Sequence, residues 1–327
     1  MRDSRDRKIE YLRISVTDRC NLRCEYCMPE EGVPWISHGS VLTYEEIVRL
    51  CRIMAPLGIS RVRLTGGEPL VRRGADKLAK SIKEIPGIET LAVTTNGTLL
   101  EGMAEKLRSA GVDALNISLD TLDPDLYRKI TRCGNLDDAL RGIDAALKAG
   151  FNPVKINCVM MPGVNDAGLP DVAALAKNRP LEVRFIEQMP VGQAENRSFL
   201  SAESALETFE AAFGPAVPYT KPLGSGPARY YSFDGFSGRV GFITAMSHEF
   251  CGECNRIRLT SDGYLKLCLF FDAGINLLKL LREGRSDAEI SREIIEAVRQ
   301  KPARHEFCAK AGGRDMADGR GMNSIGG

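Results

Sequence analysis

The 327-residue chain carries a formal net charge of +1, with 43% hydrophobic and 27% charged residues. This is an ordinary globular composition, and it excludes a global field able to hold nucleic acid or an acidic membrane. The N-terminus "MRDSRDRKIEYLRIS" has no apolar core and no run of eighteen apolar residues occurs. A cytoplasmic setting is therefore expected, in which ten cysteines read as metal ligands and spare buried thiols rather than disulfides.

The first β-like segment, "YLRISVT" (11–17), runs into Cys20, Cys24 and Cys27, spaced CX3CX2C. Three thiolates can hold three corners of a cubane iron–sulfur cluster and leave the fourth iron open to an exogenous ligand. A structural zinc site is the alternative; it normally takes four protein ligands, and the nearest histidine, His38, lies eleven residues past Cys27. Five more β-like segments follow: "RVRLTG" (61–66), "LAVTTNG" (91–97), "ALNISLD" (114–120), "PVKINCVM" (153–160) and "LEVRFIEQM" (181–189). Apolar-periodic stretches such as "TYEEIVRLCRIMAPLG", "EGMAEKLRSAG" and "LDDALRGIDAALKAG" separate them, ending in Gly58, Gly111 and Gly150 as helices commonly do. Alternating β and α units predict a parallel sheet with helical crossovers. No GxGxxG follows the first strand, which argues against an open dinucleotide-binding sheet.

Along these segments apolar and polar residues alternate. Leu12, Ile14 and Val16 alternate with Arg13, Ser15 and Thr17, and Val62 and Leu64 with Arg61, Arg63 and Thr65. Leu115, Ile117 and Leu119 alternate with Asn116, Ser118 and Asp120, and Val154, Ile156 and Cys158 with Lys155 and Asn157. Period two places each set on one face. Crossover helices must cover the apolar face, so the polar face lines whatever the sheet encloses. A closed eight-stranded barrel fills its interior with bulky branched side chains, which these strands do not supply. An incomplete barrel with a wide polar interior is predicted, with Arg13, Arg63, Lys155 and Arg184 pointing inward. A half-solvated antiparallel sheet explains the alternation but conflicts with the intervening helices. Cations gathered on one cavity of a nearly neutral chain predict an anionic substrate, and phosphate matches guanidinium and ammonium groups.

"LTGGEPLVRR" (64–73) ends the second strand; Gly66 and Gly67 allow a ligand close to the backbone, and Glu68 can accept from an ammonium group. "TTNGTLL" and "NISLDT" are strand ends of the kind that carry sites in this architecture. After residue 213, "FGPAVPYTKPLGSGPARYYSFDGFSG" (213–238) reads as a connector. Beyond it, "RVGFIT", "NRIRLTSDGYLKLCLF" and the Asp262-Gly263 turn predict a hairpin. Helical stretches at roughly 272–283 and 286–300 then precede a glycine-rich tail. This module supplies Cys251, Cys254 and Cys268 as CX2CX13C. A second cluster with an open iron and a zinc site completed by His248 both fit, with Arg256 and Arg258 on one face beside it. Cys51, Cys133, Cys158 and Cys308 have no ligand spacing and are given no role; Cys51 and Cys158 lie in apolar runs.

In order along the chain stand "YLRISVTDRCNLRCEYCMP", "RLTGGEPLVRR", "TTNG", "NISLDTLD", "RFIEQMPVG", "FCGECNRIRLTSDGYLKLCLF" and "MNSIGG". The first of these resembles the radical S-adenosylmethionine (SAM) superfamily signature. The whole set, from Tyr11 to Gly327, resembles the molybdenum-cofactor biosynthesis GTP 3′,8-cyclases. The resemblance implies an α/β fold: an incomplete (β/α)6 TIM-like barrel, residues 1–213, with a C-terminal α+β extension, 214–327, that carries a second iron–sulfur cluster and the Gly-Gly tail. It implies two [4Fe–4S] clusters, one on Cys20, Cys24 and Cys27 and one on Cys251, Cys254 and Cys268. SAM would be bound with Tyr26, Gly67, Ser118 and Met189 and cleaved to methionine and a 5′-deoxyadenosyl radical. GTP would meet Arg13, Arg63, Thr94, Lys155 and the segment Arg256, Ile257, Arg258. Arg13, Arg256, Arg258, Gly326 and Gly327 would be catalytic, the tail entering the active site with backbone groups alone. The implied reaction converts GTP to (8S)-3′,8-cyclo-7,8-dihydroguanosine 5′-triphosphate, the first step of molybdenum cofactor biosynthesis. The implied partners are an electron-donor protein and, functionally, cyclic pyranopterin monophosphate synthase. A monomer or homodimer without nucleic-acid or membrane partners is expected. Two rival readings are a peptide-modifying radical SAM enzyme and a metal-binding redox carrier or nucleic-acid regulator; nucleotide binding and SAM cleavage under reducing conditions separate them.

Overall fold

The six alternating segments form β1 (Tyr11–Ser15), β2 (Arg61–Thr65), β3 (Thr90–Thr95), β4 (Ala114–Ser118), β5 (Val154–Met160) and β6 (Leu181–Glu187). The structure is a computed structural model that describes every residue except Trp35, 191–198, Pro222, Ser225, 307–320 and Gly327. Helices between the strands begin where the sequence offers side-chain caps. Thr43 and Glu46 make a reciprocal capping box before Tyr44–Met54, Asp123 caps Pro124–Thr131 and Asn135 caps Leu136–Lys148. Each satisfies first-turn N–H groups that no helical carbonyl reaches. Gly58, Gly111 and Gly150 follow their helices at φ of 102°, 85° and 78°, where a side chain would be strained.

β1 to β6 are parallel neighbours in sequence order. Their register aligns the polar residues across strands: Arg13 beside Arg63, Thr94 beside Asn116, Asn116 beside Lys155, and Lys155 beside Glu182. On the other face Leu12, Ile14, Val62, Leu64, Leu115, Ile117, Val154 and Ile156 are at most 1% exposed. Each such side chain contributes roughly 1.5–3 kcal/mol, which fixes the polar face as the interior one.

The C-terminal third extends this partial barrel at both edges. It forms β7 (Val217–Tyr219), β8 (Arg229–Ser232), β9 (Arg239–Ile243), β10 (Arg256–Leu259), β11 (Tyr264–Lys266) and β12 (Gly274–Asn276). β9 lies parallel to β6 and β10 parallel to β1, so eight parallel strands run β10-β1-β2-β3-β4-β5-β6-β9. The antiparallel pairs β8–β7 and β11–β12 flank them, and the twelve-stranded sheet stays open.

Three local expectations change. The Asp262-Gly263 turn does join a hairpin, β10 to β11, but "RVGFIT" is β9 on the opposite edge of the sheet. Phe242 of β9 packs on Phe209 and Phe185 with ring centroids 5.8 and 5.9 Å apart, which holds it to β6. The connector 213–238 contains β7 and β8, anchored by the Tyr230 hydroxyl, which donates to Glu182 at 3.0 Å. The stretch from 272 starts as β12, because Ile275 pairs with Leu265, and turns helical only at Leu277, capped by Asn276. Among the described residues no helix is long and apolar enough to cross a membrane.

Candidate active site

The strand directions place the two cysteine triads at opposite ends of the parallel run. Cys20, Cys24 and Cys27 follow the C-terminal end of β1, whereas Cys254 precedes the first residue of β10, and Cys268 follows β11, which runs back antiparallel to β10. All six cysteines are free and partly exposed.

The first triad sits on a loop fastened from three sides. Gly67 N–H donates to Thr17 O and Glu68 N–H to Arg19 O, both at 2.8 Å. A Cβ on Gly67 would lie 2.4 Å from Arg19 O. The glycines therefore admit the cysteine loop's own backbone as well. Glu68 is fully buried, and its carboxylate accepts from Leu70 N–H at 3.0 Å, the Thr95 hydroxyl at 2.8 Å and Asn96 N–H at 2.7 Å. Through those three donors Glu68 ties "TTNG" to "GGEP", and a carboxylate with about four acceptor positions keeps capacity for a further donor. Burial pushes it up to about 7. The Tyr26 hydroxyl donates to Asp120 at 2.7 Å, and Asp120 also accepts from Val159 N–H at 2.8 Å. Burial pushes Cys20 up to about 11 and Cys27 up to about 12, with the other thiols and the carboxylates adding to it. Tyr26, Gly67, Ser118 and Met189 all lie at this C-terminal end: Tyr26, Gly67 and Met189 after β1, β2 and β6, and Ser118 as the last residue of β4.

Between the ends the interior face is cationic. Arg13 lies between Arg258 and Arg63 in register. Burial, and then the neighbouring guanidinium groups, depress Arg13 well below its ordinary value. Arg63 is depressed by burial and stacks 5.4 Å from the Tyr11 ring. Lys155 is paired with Glu182 and donates to Leu223 O, and Arg184 donates to Asn116. The Nε atoms of Arg63, Arg184 and Arg256 and the hydroxyl of Thr94 are buried and have no hydrogen-bond partner among the described residues. Ile257 turns its side chain to the apolar face at 1% exposure, so only its backbone can serve the interior. A cavity of about 980 Å3 opens at the N-terminal strand ends, lined among others by Tyr11, Arg63, Lys155, Arg184 and Tyr230. It lies within the roughly 300–1,000 Å3 of small-molecule sites.

The second triad is set among cations. Burial raises Cys254, but Lys301, Arg256 and the Arg256 backbone N–H outweigh it and leave the thiol below its ordinary value. The C-terminal residues reach the interior as well. Arg258 donates to Gly326 O at 2.6 Å, Ile325 is 1% exposed, and a Cβ on Gly326 would lie 2.4 Å from the Thr65 hydroxyl. Gly326 also stands at φ 74°, so both space and backbone demand glycine there. Gly327 and Cys308 lie outside the described residues.

Neither triad is gathered closely enough for one zinc ion. Tetrahedral zinc at about 2.3 Å from sulfur brings its sulfurs about 3.8 Å apart. Among the described residues, the potential ligands whose donor atoms all lie within 4.8 Å of one another are Glu249, Cys251 and His305. Neither cysteine triad gathers that tightly, and His248 contacts Ser247 and Glu203 rather than the triad.

Four participants escaped sequence reading. Asp120 was visible as the end of an alternating polar set but had no evident partner. Glu182, Arg7 and Lys301 gave no signal, because their partners are distant in sequence.

Sequence models of two families match the chain: Radical SAM superfamily over residues 14–176 and Molybdenum Cofactor Synthesis C over residues 181–307. A Pelotomaculum thermopropionicum protein named GTP 3′,8-cyclase is 49% identical, covering 100% of both chains. Proteins of the same name from Syntrophomonas wolfei (48%, covering 94% of this chain and 95% of that one) and Moorella thermoacetica (46%, covering 100% of both) are similar too. Among solved structures, Streptococcus suis SuiB bound to S-adenosylmethionine superposes with a TM-score of 0.60 at 16% identity, covering 89% of this chain and 68% of that one. That last likeness is one of fold alone.

Proposed function

Because the chain belongs to the GTP 3′,8-cyclase family of the radical SAM superfamily, we propose that its partial barrel cyclises GTP between two iron–sulfur sites, one on Cys20, Cys24 and Cys27 and one on Cys251, Cys254 and Cys268. The reading rests above all on the two cysteine triads standing at opposite ends of one strand run with cations between them. A four-iron cluster with SAM at its open iron supplies, once reduced by an electron-donor protein, the radical chemistry that begins the reaction.

The chain's own residues place, charge-match and shield the reactants. Tyr26, Gly67, Ser118 and Met189 hold SAM at the C-terminal mouth. Arg13, Arg63 and Lys155 receive the triphosphate. Their desolvation and mutual repulsion are relieved when an anion enters, and guanidinium groups grip phosphate in bidentate fashion. Glu182 keeps the Lys155 ammonium in place until then. Thr94 offers a buried hydroxyl that has no hydrogen-bond partner among the described residues. Arg256, Arg258 and the Ile257 backbone hold the nucleotide toward the second triad. The Gly326 carbonyl on Arg258, with Gly327 after it, fixes that guanidinium and keeps water from the reacting atoms.

Anaerobic reconstitution with iron and sulfide, followed by SAM, reductant and GTP, tests the reading. Roughly eight irons per chain are expected, with 5′-deoxyadenosine and a cyclised nucleotide as products. SAM cleavage without GTP turnover would move the substrate assignment to a peptide. Bound zinc with no cleavage would overturn the reading.

A further inference from the structure

Lys301 follows the helix Asp287–Arg299 and is 2% exposed. Its ammonium group donates to Arg256 O at 2.9 Å and to Leu267 O. These carbonyls flank the two limbs of the second triad, one just past Cys254 and the other next to Cys268. One side chain thus staples the strand after Cys254 to the strand end before Cys268. The third limb is held by Arg7, which donates to Cys251 O at 2.8 Å and to Pro302 O at 2.7 Å.

The two clamps differ in charge balance. Arg7 is neutralised by Asp3 at 2.6 Å, both side chains buried. Lys301 has no carboxylate partner among the described residues; the charges that act on it are the thiols of Cys254 and Cys268 and the cations Arg7 and Arg256. A buried ammonium costs several kcal/mol unless an anion answers it, and two neutral carbonyls are not one. A cluster held by three thiolates carries net negative charge and would be that anion.

We propose that Lys301 is the positioning residue and counter-ion of the Cys251–Cys254–Cys268 site. Its two hydrogen bonds set the spacing between the limbs, and its charge raises the reduction potential of the group they hold. This rests on the reading that the second triad binds an iron–sulfur cluster.

The test uses the full chain with Cys20, Cys24 and Cys27 replaced by alanine, reconstituted anaerobically, so that iron and paramagnetic signals report the second site alone. About four irons per chain are expected in this background, and none would overturn the cluster reading itself. Lys301→Gln keeps donors and removes the charge. Its expected result is retained iron with a more negative midpoint in a spectroscopically monitored redox titration. Lys301→Met removes both functions and is expected to lose at least half of that iron, or to retain it at a more negative midpoint. Replacing the pair together, Arg7→Met with Asp3→Asn, removes the clamp at no change in net charge and is expected to loosen iron binding without a comparable shift in midpoint. Unchanged iron and midpoint in Lys301→Met would overturn the proposal. If that variant does not fold, an unchanged midpoint in Lys301→Gln overturns the counter-ion role.

Discussion

Cys20, Cys24 and Cys27 leave β1 on one contiguous loop with the carboxyls of Glu68 and Asp120 nearby, whereas Cys251, Cys254 and Cys268 come from two limbs of chain bound together by Arg7 and Lys301, with Arg256 beside them. The same ligand type and number is thereby built in two ways. The first triad is local in sequence and borrows its rigidity from "GGEP", "TTNG" and Asp120. The second brackets the β10–β11 hairpin, with Cys251 and Cys254 before it and Cys268 after it, and is tied together by the buried cations Arg7 and Lys301. Charges near a cluster shift its potential. Acidic neighbours favour the oxidised form and cations the reduced one, so on the function proposed above the first end suits hard reduction and the second suits substrate holding.

The comparison is broken most decisively at the cysteines. Alanine at Cys20, Cys24 and Cys27 is expected to abolish SAM cleavage while about half of the iron stays. Alanine at Cys251, Cys254 and Cys268 is expected to leave SAM cleavage and remove GTP cyclisation. Iron analysis with chromatography of 5′-deoxyadenosine checks both, and loss of all iron from either variant would show that the ends are not independent. Gly326→Ala places a Cβ against the Thr65 hydroxyl at a positive φ. Turnover should fall roughly a hundredfold through misplacement with iron unchanged; full activity would detach the tail from catalysis. Asp120→Ala leaves the Tyr26 hydroxyl and Val159 N–H unanswered, at about 1–3 kcal/mol. Denaturation midpoints should fall accordingly, with iron lost from the first site before the second. Equal loss at both would contradict a local role.

The smallest effect is one of pH. Glu68 is pushed by burial from 4.5 up to about 7, so the folded chain favours its protonated form. Its contribution to stability is fully present below about pH 4.5 and is lost as pH rises through about 7. The profile of denaturation midpoint against pH in the metal-free chain should lack that fall in Glu68→Gln. Superimposable profiles would show that the carboxyl does not titrate in this window.

The interior of the barrel was legible because its two faces differ chemically. Arg13, Arg63 and Lys155 stand between apolar neighbours at period two, and no other arrangement of a helix-covered sheet hides the apolar set. The cysteine spacings were legible because thiol ligands cluster in sequence. What was not legible depended on partners in other elements, tens to hundreds of residues away. Nothing in "RVGFIT" or "NRIRL" tells which edge of the sheet each will join. Lys301 looks like any lysine after a helix until the Arg256 and Leu267 carbonyls are seen on either side of it. The loop-tying role of Glu68 was not legible because a carboxylate after Gly-Gly offers itself equally to a ligand and to the neighbouring loop, and the Asn96 and Thr95 donors come from another strand end.

The pairing of β10 against β1 bears on how the chain is made. Synthesis delivers β1 at Tyr11 but its outer neighbour only at Arg256, so on a ribosome one edge of the growing sheet stays open through most of translation. Unpaired strand edges recruit other chains, and Arg61, paired with Glu10, and Lys8, also on Glu10, put charge beside that edge. A nascent chain stopped short of β10 would hold a formed first cysteine loop on a scaffold still able to aggregate. The second cysteine triad is therefore synthesised together with the strands that cover this edge of β1.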